Sequence, residues 1–340
     1  QAFRRWTHSA ALSDSIISFV HASVPRPSRM PALIAFGISV VLSPLVIPFL
    51  KKLKFGQFVR DDGPESHLKK SGTPTMGGLI ILCSIVATSL IYVKQYPKIL
   101  PILFVTLGFG LIGFLDDYIK VVMKRSLGLR AWQKMALQII VTGIFCYYIM
   151  TQTDLGSRML IPFWHGHYLN VGFWYAPLLF FVVLGTVNGA NFTDGLDGLA
   201  SSVTVLIATF FTVVAIGMKA GIEPITCATV GALLGFLVYN VFPARVFMGD
   251  TGSLALGGFV AATAYMLEMP LFIPIVALIY LVEVLSVIIQ VVSFKTTGKR
   301  PFKMAPIHHH FELSGWPETK VVSIFAIVTA VLCLIGFLAI

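Results

Sequence analysis

Asn188-Gly-Ala-Asn-Phe-Thr-Asp-Gly-Leu-Asp-Gly198 sits between two long apolar runs, about 173–190 and 199–218. It gathers two Asn, one Thr, two Asp and three Gly between flanks that read as hydrocarbon-spanning. A charge near a bilayer interior costs on the order of several kcal/mol, so polarity here calls for a ligand, a partner or an exit to water. If the segment opens a helix, Asp194 and Asp197, three residues apart, share one face. Its glycines let backbone approach a ligand closely. Taken alone, the segment reads equally well as a hydrophilic connecting loop of turn-forming residues. Four further loops with similar chemistry, all on one side of the chain's apolar runs, shift the balance toward a site.

The chain around this segment is 56% hydrophobic and only 12% charged over 340 residues, whereas soluble domains are about one quarter charged. The expected fold is an all-α integral membrane protein. Ten apolar runs have roughly the 20 residues that a spanning helix needs. They lie at about 31–50, 76–93, 99–116, 132–150, 173–190, 199–218, 225–242, 251–267, 270–294 and 321–340. Cys83, Cys146, Cys227 and Cys333 all fall inside these runs, which points to neither a disulfide framework nor a zinc site. The net charge of +10 fits the positive-inside rule and acidic phosphate ligands better than nucleic acid.

Residues 1–30 are read as a tail of unassigned role outside the transmembrane domain 31–340. Their short apolar stretch, 16–20, cannot span a bilayer, a signal peptide fits poorly, and Met30 is a conceivable native start. The loops after odd-numbered spans carry 17 of the 25 Lys and Arg, the even loops four. The odd loops are therefore expected in the cytoplasm, although the basic tail, on the other face, argues against this. Ten of the fifteen carboxylates also belong to the odd side. Acids gathered there among most of the cations describe a site rather than a solvated rim. Loop 151–172 is the exception among the bland even loops, with Trp164, His165, His167 and Tyr168 of interfacial character.

Each odd loop has its own chemistry. In 60–78, Lys69 and Lys70 beside Gly72, Thr73 and Thr75 suit an anionic phosphate, or else a lipid headgroup. Asp116 and Asp117, adjacent at the end of a span, repel each other unless a cation or proton intervenes. They form a base or metal-ligand site, or an ion-paired helix end with Lys120 one turn on. In Phe247-Met-Gly-Asp-Thr-Gly-Ser253, Asp250 and Ser253 read as a helix cap, an anion site, or both. His308, His309 and His310 are too close in sequence to converge on one metal, and are read as binding phosphate or sugar oxygens, against a solvated loop. Glu283, inside the ninth span, either faces a lipid-phosphate groove or bonds a neighbouring helix. Carboxylates in excess repel a phosphate ligand, so a bridging divalent cation is expected, and Mg2+ is the hard, oxygen-seeking candidate. A cleft on the membrane's cytoplasmic face implies that one substrate is a lipid. The logic points to phosphoryl transfer between a soluble diphosphate and a membrane-bound acceptor.

These motifs have a familiar order. Gly72-Thr-Pro-Thr-Met-Gly-Gly78, Asp116-Asp117, Asn191-Phe-Thr-Asp-Gly-Leu-Asp-Gly198, Phe247-Met-Gly-Asp-Thr-Gly-Ser253 and Met304-Ala-Pro-Ile-His-His-His-Phe-Glu312 resemble those of the polyprenyl-phosphate N-acetylhexosamine-1-phosphate transferases. The last motif favours the muramoyl-pentapeptide branch, and the resemblance runs from residue 31 to the end. It implies a ten-helix, Mg2+-dependent enzyme of the bacterial inner membrane, a homodimer, with an active-site cleft facing the cytoplasm. It further implies transfer of phospho-MurNAc-pentapeptide from UDP-MurNAc-pentapeptide to undecaprenyl phosphate, giving lipid I and UMP. Asp250 would be the chief metal ligand with Asp194 beside it, Asp116 the base, and Asp117 a residue orienting the site or binding nucleotide. Asn191, Asp194 and Asp197 would hold the nucleotide diphosphate, with Phe192 near the uracil. Lys69, Lys70, Thr75 and Lys120 would meet phosphates. Gly249, Ser253, Gln290, His308 and His310 would complete the pocket, and His309 joins the catalytic group. A sister GlcNAc-1-phosphate transferase and, from another class, a transporter with intramembrane acids are the competing readings.

Overall fold

The chain carries Pro31, Pro44 and Pro48 in its first apolar run and still forms one helix there, longer than the hydropathy alone marks out. The computed structural model describes residues 26–52, 72–122 and 128–340. Helix α1 (Arg26–Lys52) is followed by α2 (Gly78–Tyr92), α3 (Ile99–Val122) and α4 (Ala131–Gln152). A hairpin of β1 (Arg158–Leu160) and β2 (Tyr168–Asn170) then leads to α5 (Tyr175–Thr193), α6 (Leu199–Met218), α7 (Glu223–Asn240) and α8 (Gly249–Met266). The chain ends with α9 (Ile273–Val276), α10 (Leu278–Thr297), α11 (Ile307–Glu312) and α12 (Glu318–Leu338). Helix α1 starts at Arg26, inside the stretch read as a tail. Lys69 and Lys70 lie outside the described residues.

This is an all-α integral membrane protein. Among the described residues, seven helices are long and apolar enough to cross a bilayer: α1, α3, α4, α5, α6, α10 and α12; α2 is a shorter apolar helix. All ten expected runs are helical, but the ninth is not continuous. Pro270 and Pro274 restart the backbone, giving a 3-10 turn at Pro270–Phe272 and the four-residue α9 before α10 begins at Leu278. A proline lacks the amide that would carry the helix through.

Helix α8 lies at the centre, packed on α3 and α5, while α1 packs on α7. Every residue from Thr251 to Met266 is buried. A helix that is apolar all round belongs in an interior, and the small residues Gly252, Ala255, Gly257, Gly258, Ala261 and Ala262 let its neighbours come close. The approach leaves no room for side chains at two sites. A Cβ on Gly113 of α3 would lie 2.0 Å from the Asp250 carbonyl oxygen, and one on Gly78 of α2 would lie 2.2 Å from the Gly252 nitrogen. The start of α8 is thus wedged between the end of α3 and the start of α2.

At the opposite end, the hairpin pairs Met159 with Leu169. Leu160 N–H donates to the Glu268 carbonyl at 2.7 Å, and Arg158 reaches the Glu268 carboxylate at 3.1 Å. Trp164 and Tyr168 are exposed there.

Candidate active site

Helix α3 ends in acids and a lysine at helical spacing, and the start of α8 lies against them. Asp116, Asp117 and Asp250 each present a carboxylate oxygen within 4.8 Å of the others. Like charges this close need compensation. Lys120, one turn after Asp116, reaches Asp116 Oδ2 at 2.5 Å and Asp250 Oδ2 at 2.9 Å. Lys134, from the first turn of α4, reaches the same Asp250 oxygen at 3.0 Å. Asn191 Nδ2 donates to Asp250 Oδ1 at 2.8 Å and to Ser253 Oγ at 2.9 Å. Asp250 therefore takes charge-assisted or neutral hydrogen bonds from three helices, α3, α4 and α5.

Asp117 plays another part. It accepts from Asp250 N–H at 3.2 Å, Thr251 N–H at 2.9 Å and the Thr251 hydroxyl at 2.7 Å. The α8 amino terminus, which has no side-chain cap of its own, is thus capped from a different helix. The expectation that Asp250 and Ser253 form the cap is corrected: Asp250 faces the lysines, and Ser253 donates back to the Gly249 carbonyl at 3.0 Å. Anion capacity at that helix end is taken by a carboxylate of the protein itself. Gly249 sits at φ +72°, where a Cβ would meet Asp117 Oδ2 and Thr75 Oγ1 at 2.7 Å. Thr75 is buried beside it, and Gly77 and Gly78 amides donate to the carbonyls of Phe247 and Met248.

The central segment does not open a helix. Helix α5 runs through Thr193, Asp194 closes it, and residues 194–198 turn into α6 with Gly198 at φ +76°. Asp194 and Asp197 consequently do not share a helical face, because the turn at Gly195 and Gly198 separates them. Burial, followed by the charges of Asp250 and Asp117, pushes the Asp194 carboxyl well above its usual range, a backbone hydrogen bond from Gly249 opposing. Asp194 adjoins the acidic triad without being one of the three closest carboxylates. Asp197 points elsewhere: its Oδ2 accepts from Ala244 N–H at 2.9 Å and its own N–H donates to Glu318 Oε1 at 2.6 Å. Phe192 is half-buried at the end of α5.

The last motif closes on the central one. His308 is fully buried, with Nδ1 3.0 Å from Glu283 Oε1, and a Cβ on Gly195 would lie 2.1 Å from its Nε2. His309 Nδ1 lies 2.8 Å from Glu312 Oε2, and His310 Nδ1 accepts from Lys303 N–H at 3.1 Å. Gln290 exchanges two hydrogen bonds of 3.1 Å with the Phe302 backbone, so it clamps the loop that carries the histidines. Four sequence-marked loops and the histidine motif thus meet at one end of the bundle. The sequence marks Lys134 only as one of the basic residues on the acid-rich side. The signal available was a lysine in the first turn of a helix on the acid-rich side.

The Glycosyl transferase family 4 model matches residues 99–268, and a phospho-N-acetylmuramoyl-pentapeptide-transferase signature matches residues 70–82. A phospho-N-acetylmuramoyl-pentapeptide-transferase of Clostridium botulinum is 55% identical over 319 residues, covering 92% of this chain and 97% of the relative. Those of Clostridium kluyveri and Acetivibrio thermocellus are 52% and 51% identical over 309 and 311 residues. They cover 90% of this chain in both cases, and 97% and 93% of themselves. A central helix start held by acids from another helix, embedded in a chain that matches these relatives almost end to end, places the protein in the phospho-N-acetylmuramoyl-pentapeptide transferase family.

Proposed function

We propose that the protein transfers phospho-MurNAc-pentapeptide from UDP-MurNAc-pentapeptide to undecaprenyl phosphate, releasing UMP and forming lipid I for peptidoglycan synthesis. The observation that carries this reading is the convergence of Asp116, Asp117 and Asp250 with Lys120, Lys134 and Asn191 at one end of a membrane bundle. The reading includes the homodimer that the family resemblance implies. It also sets the site toward the cytoplasm, supported by the 17 basic residues on that side.

The residues fit a divalent cation. Asp116, Asp117 and Asp250 bring three closely spaced carboxylates with hard oxygen donors against the two ammonium groups of Lys120 and Lys134, and Asp194 adjoins them with its carboxyl held by burial well above its usual range. Asp250 would hold Mg2+ with Asp116 beside it and Asp194 adjoining. When bound, the ion would neutralise the phosphates and polarise the bond under attack.

The remaining work falls to the chain itself. A phosphate monoester has its second pKa near about 6, so the lipid acceptor is mostly a dianion and already nucleophilic at neutral pH. Asp116, beside Lys120, therefore has a modest task as base. Lys120 spans two carboxylates and can turn to an arriving phosphate, which frees Asp116 Oδ2. Asn191 and Lys134 hold Asp250 in place. The acceptor oxygen attacks the sugar-bearing β-phosphorus, the bond to the UMP oxygen breaks, and positioning supplies much of the acceleration.

The test is release of UMP by detergent-solubilised protein. Release is expected from UDP-MurNAc-pentapeptide only with polyprenyl phosphate and Mg2+. Equal release without the lipid, or from UDP-GlcNAc in its place, would sink the reading.

A further inference from the structure

Helix α4 is a membrane span with little of its surface buried, and its buried residues form one stripe: Gln138, Thr142, Phe145, Cys146 and Ile149. Lys134, four residues before Gln138, continues that stripe one turn toward the acids. A glutamine with no exposed surface is a costly choice in a spanning helix, where leucine would fill the space without an amide to satisfy. Its amide is met from α5. Asn188 Nδ2 donates to Gln138 Oε1 at 2.9 Å, and Gln138 Nε2 donates to Asn188 Oδ1 at 3.4 Å. One turn nearer the acids, Lys134 Nζ donates to Asn191 Oδ1 at 3.4 Å. The two contacts form rungs between antiparallel helices: four residues back along α4, from Gln138 to Lys134, match three forward along α5, from Asn188 to Asn191.

The rung nearer the site is the one that touches Asp250, through Lys134 Nζ on Oδ2 at 3.0 Å and Asn191 Nδ2 on Oδ1 at 2.8 Å. Lysine is the weak member of that rung, because its four-carbon stem is flexible and does not itself fix where the ammonium stands. The carboxamide rung behind it supplies the missing constraint. Water does not reach Gln138, so sliding or rotating α4 against α5 would leave amide N–H and C=O groups unpaired in a low dielectric.

We propose that Gln138 is a positioning residue for the transfer: paired with Asn188, it fixes the register of α4 on α5 that sets the Lys134 ammonium on Asp250 Oδ2. This role rests on the transferase reading given above, in which Lys134 and Asp250 belong to the reacting site.

Gln138→Met keeps the length of the side chain and removes its amide. Asn188 Nδ2 retains its bond to the Leu184 carbonyl at 2.8 Å, so the fold should hold. Two measurements on protein in lipid nanodiscs separate positioning from general loosening. UMP release should fall about tenfold, the size of one weakened hydrogen bond to a charged group, with the melting temperature close to that of wild type. Reductive methylation of lysines, followed by mass spectrometry, should become faster at Lys134 and stay unchanged at Lys120 and Lys219. The exchanged pair, Gln138→Asn with Asn188→Gln, keeps both amides and their summed length, and should restore most of the rate and the protection of Lys134. Wild-type turnover in Gln138→Met, faster methylation at Lys120 as well as Lys134, or an exchanged pair that restores neither property would overturn the role of Gln138 and leave the transferase reading standing. Wild-type protein that releases no UMP would overturn that reading instead, and the methylation contrast would still decide whether Gln138 sets Lys134.

Discussion

Asp250→Asn is the sharpest perturbation of the site, because the substitution keeps the shape and changes only what faces what. Asp250 Oδ2 receives Lys120 and Lys134 at 2.9 and 3.0 Å, and Oδ1 receives Asn191 at 2.8 Å. All three partners are donors. With the new amide nitrogen at the Oδ2 position, two ammonium groups meet a donor. With it at the Oδ1 position, the Asn191 amide meets a donor instead, and the lysines keep only a neutral oxygen. No rotamer satisfies the ring of partners. Hydrogen bonds to charged groups contribute about 1.5–3 kcal/mol each, so two lost bonds give roughly 3–6 kcal/mol. Lys120 is 38% exposed and Lys134 19%, and solvent screening brings the sum to the lower half of that range. At about 1.4 kcal/mol per tenfold, that loss lowers the equilibrium constant for folding roughly 10²- to 10³-fold. Loss of the proposed cation ligand acts on the reaction itself, so turnover of the protein that stays folded should fall by more than about tenfold. The assay is UMP release by protein in nanodiscs, with thermal stability measured on the same sample. Adding Lys134→Met removes one facing donor, so the double variant should regain stability without regaining turnover. Turnover within tenfold of wild type in Asp250→Asn would refute the reasoning.

Two further outcomes are open to direct measurement. Gly113→Ala puts a methyl group 2.0 Å from the Asp250 carbonyl oxygen, a backbone atom that cannot swing away. The start of α8 must shift, at a cost of about 1–3 kcal/mol, and both melting temperature and UMP release should fall; an unchanged rate would show that the helix start tolerates displacement. Chelation by EDTA should abolish transfer and added Mg2+ should restore it, whereas a rate indifferent to chelator would remove the cation from the mechanism.

The membrane class and the helical order were legible in the sequence because hydropathy reports burial in hydrocarbon directly. The ninth run misled at its beginning, where Pro270 and Pro274 break a stretch whose apolarity is continuous. The site residues were legible as chemical types and less so as roles. Asp194 and Asp197 look equivalent three residues apart, yet Gly195 and Gly198 turn the chain between them and send Asp197 to the Ala244 amide. Asp117 is indistinguishable from Asp116 in a list, but one takes the backbone amides of α8 and the other a lysine. Such divisions depend on the packing of distant helices. Nothing local in the sequence carries them, and for the same reason Lys134 and the partner of Glu283 stayed out of sight.

That packing sorts the carboxylate oxygens into two kinds. Asp117 is held by backbone amides and the Thr251 hydroxyl, and Asp116 Oδ1 by Leu129 N–H at 2.8 Å. These partners are part of the fold and do not exchange. Asp116 Oδ2 and Asp250 Oδ2 are held by the ends of long, rotatable lysines. A lysine can leave one anion for another at small cost, whereas a helix amide cannot. The fixed oxygens keep α3 and α8 together despite the repulsion of their acids, and the exchangeable ones remain available to a cation or a phosphate. Gly78 and Gly113 make the division possible, because only bare backbone lets three helices approach until an acid on one can cap another. Replacement of Asp117 should therefore loosen the site as a whole, while replacement of Lys120 should change its charge and leave its shape intact.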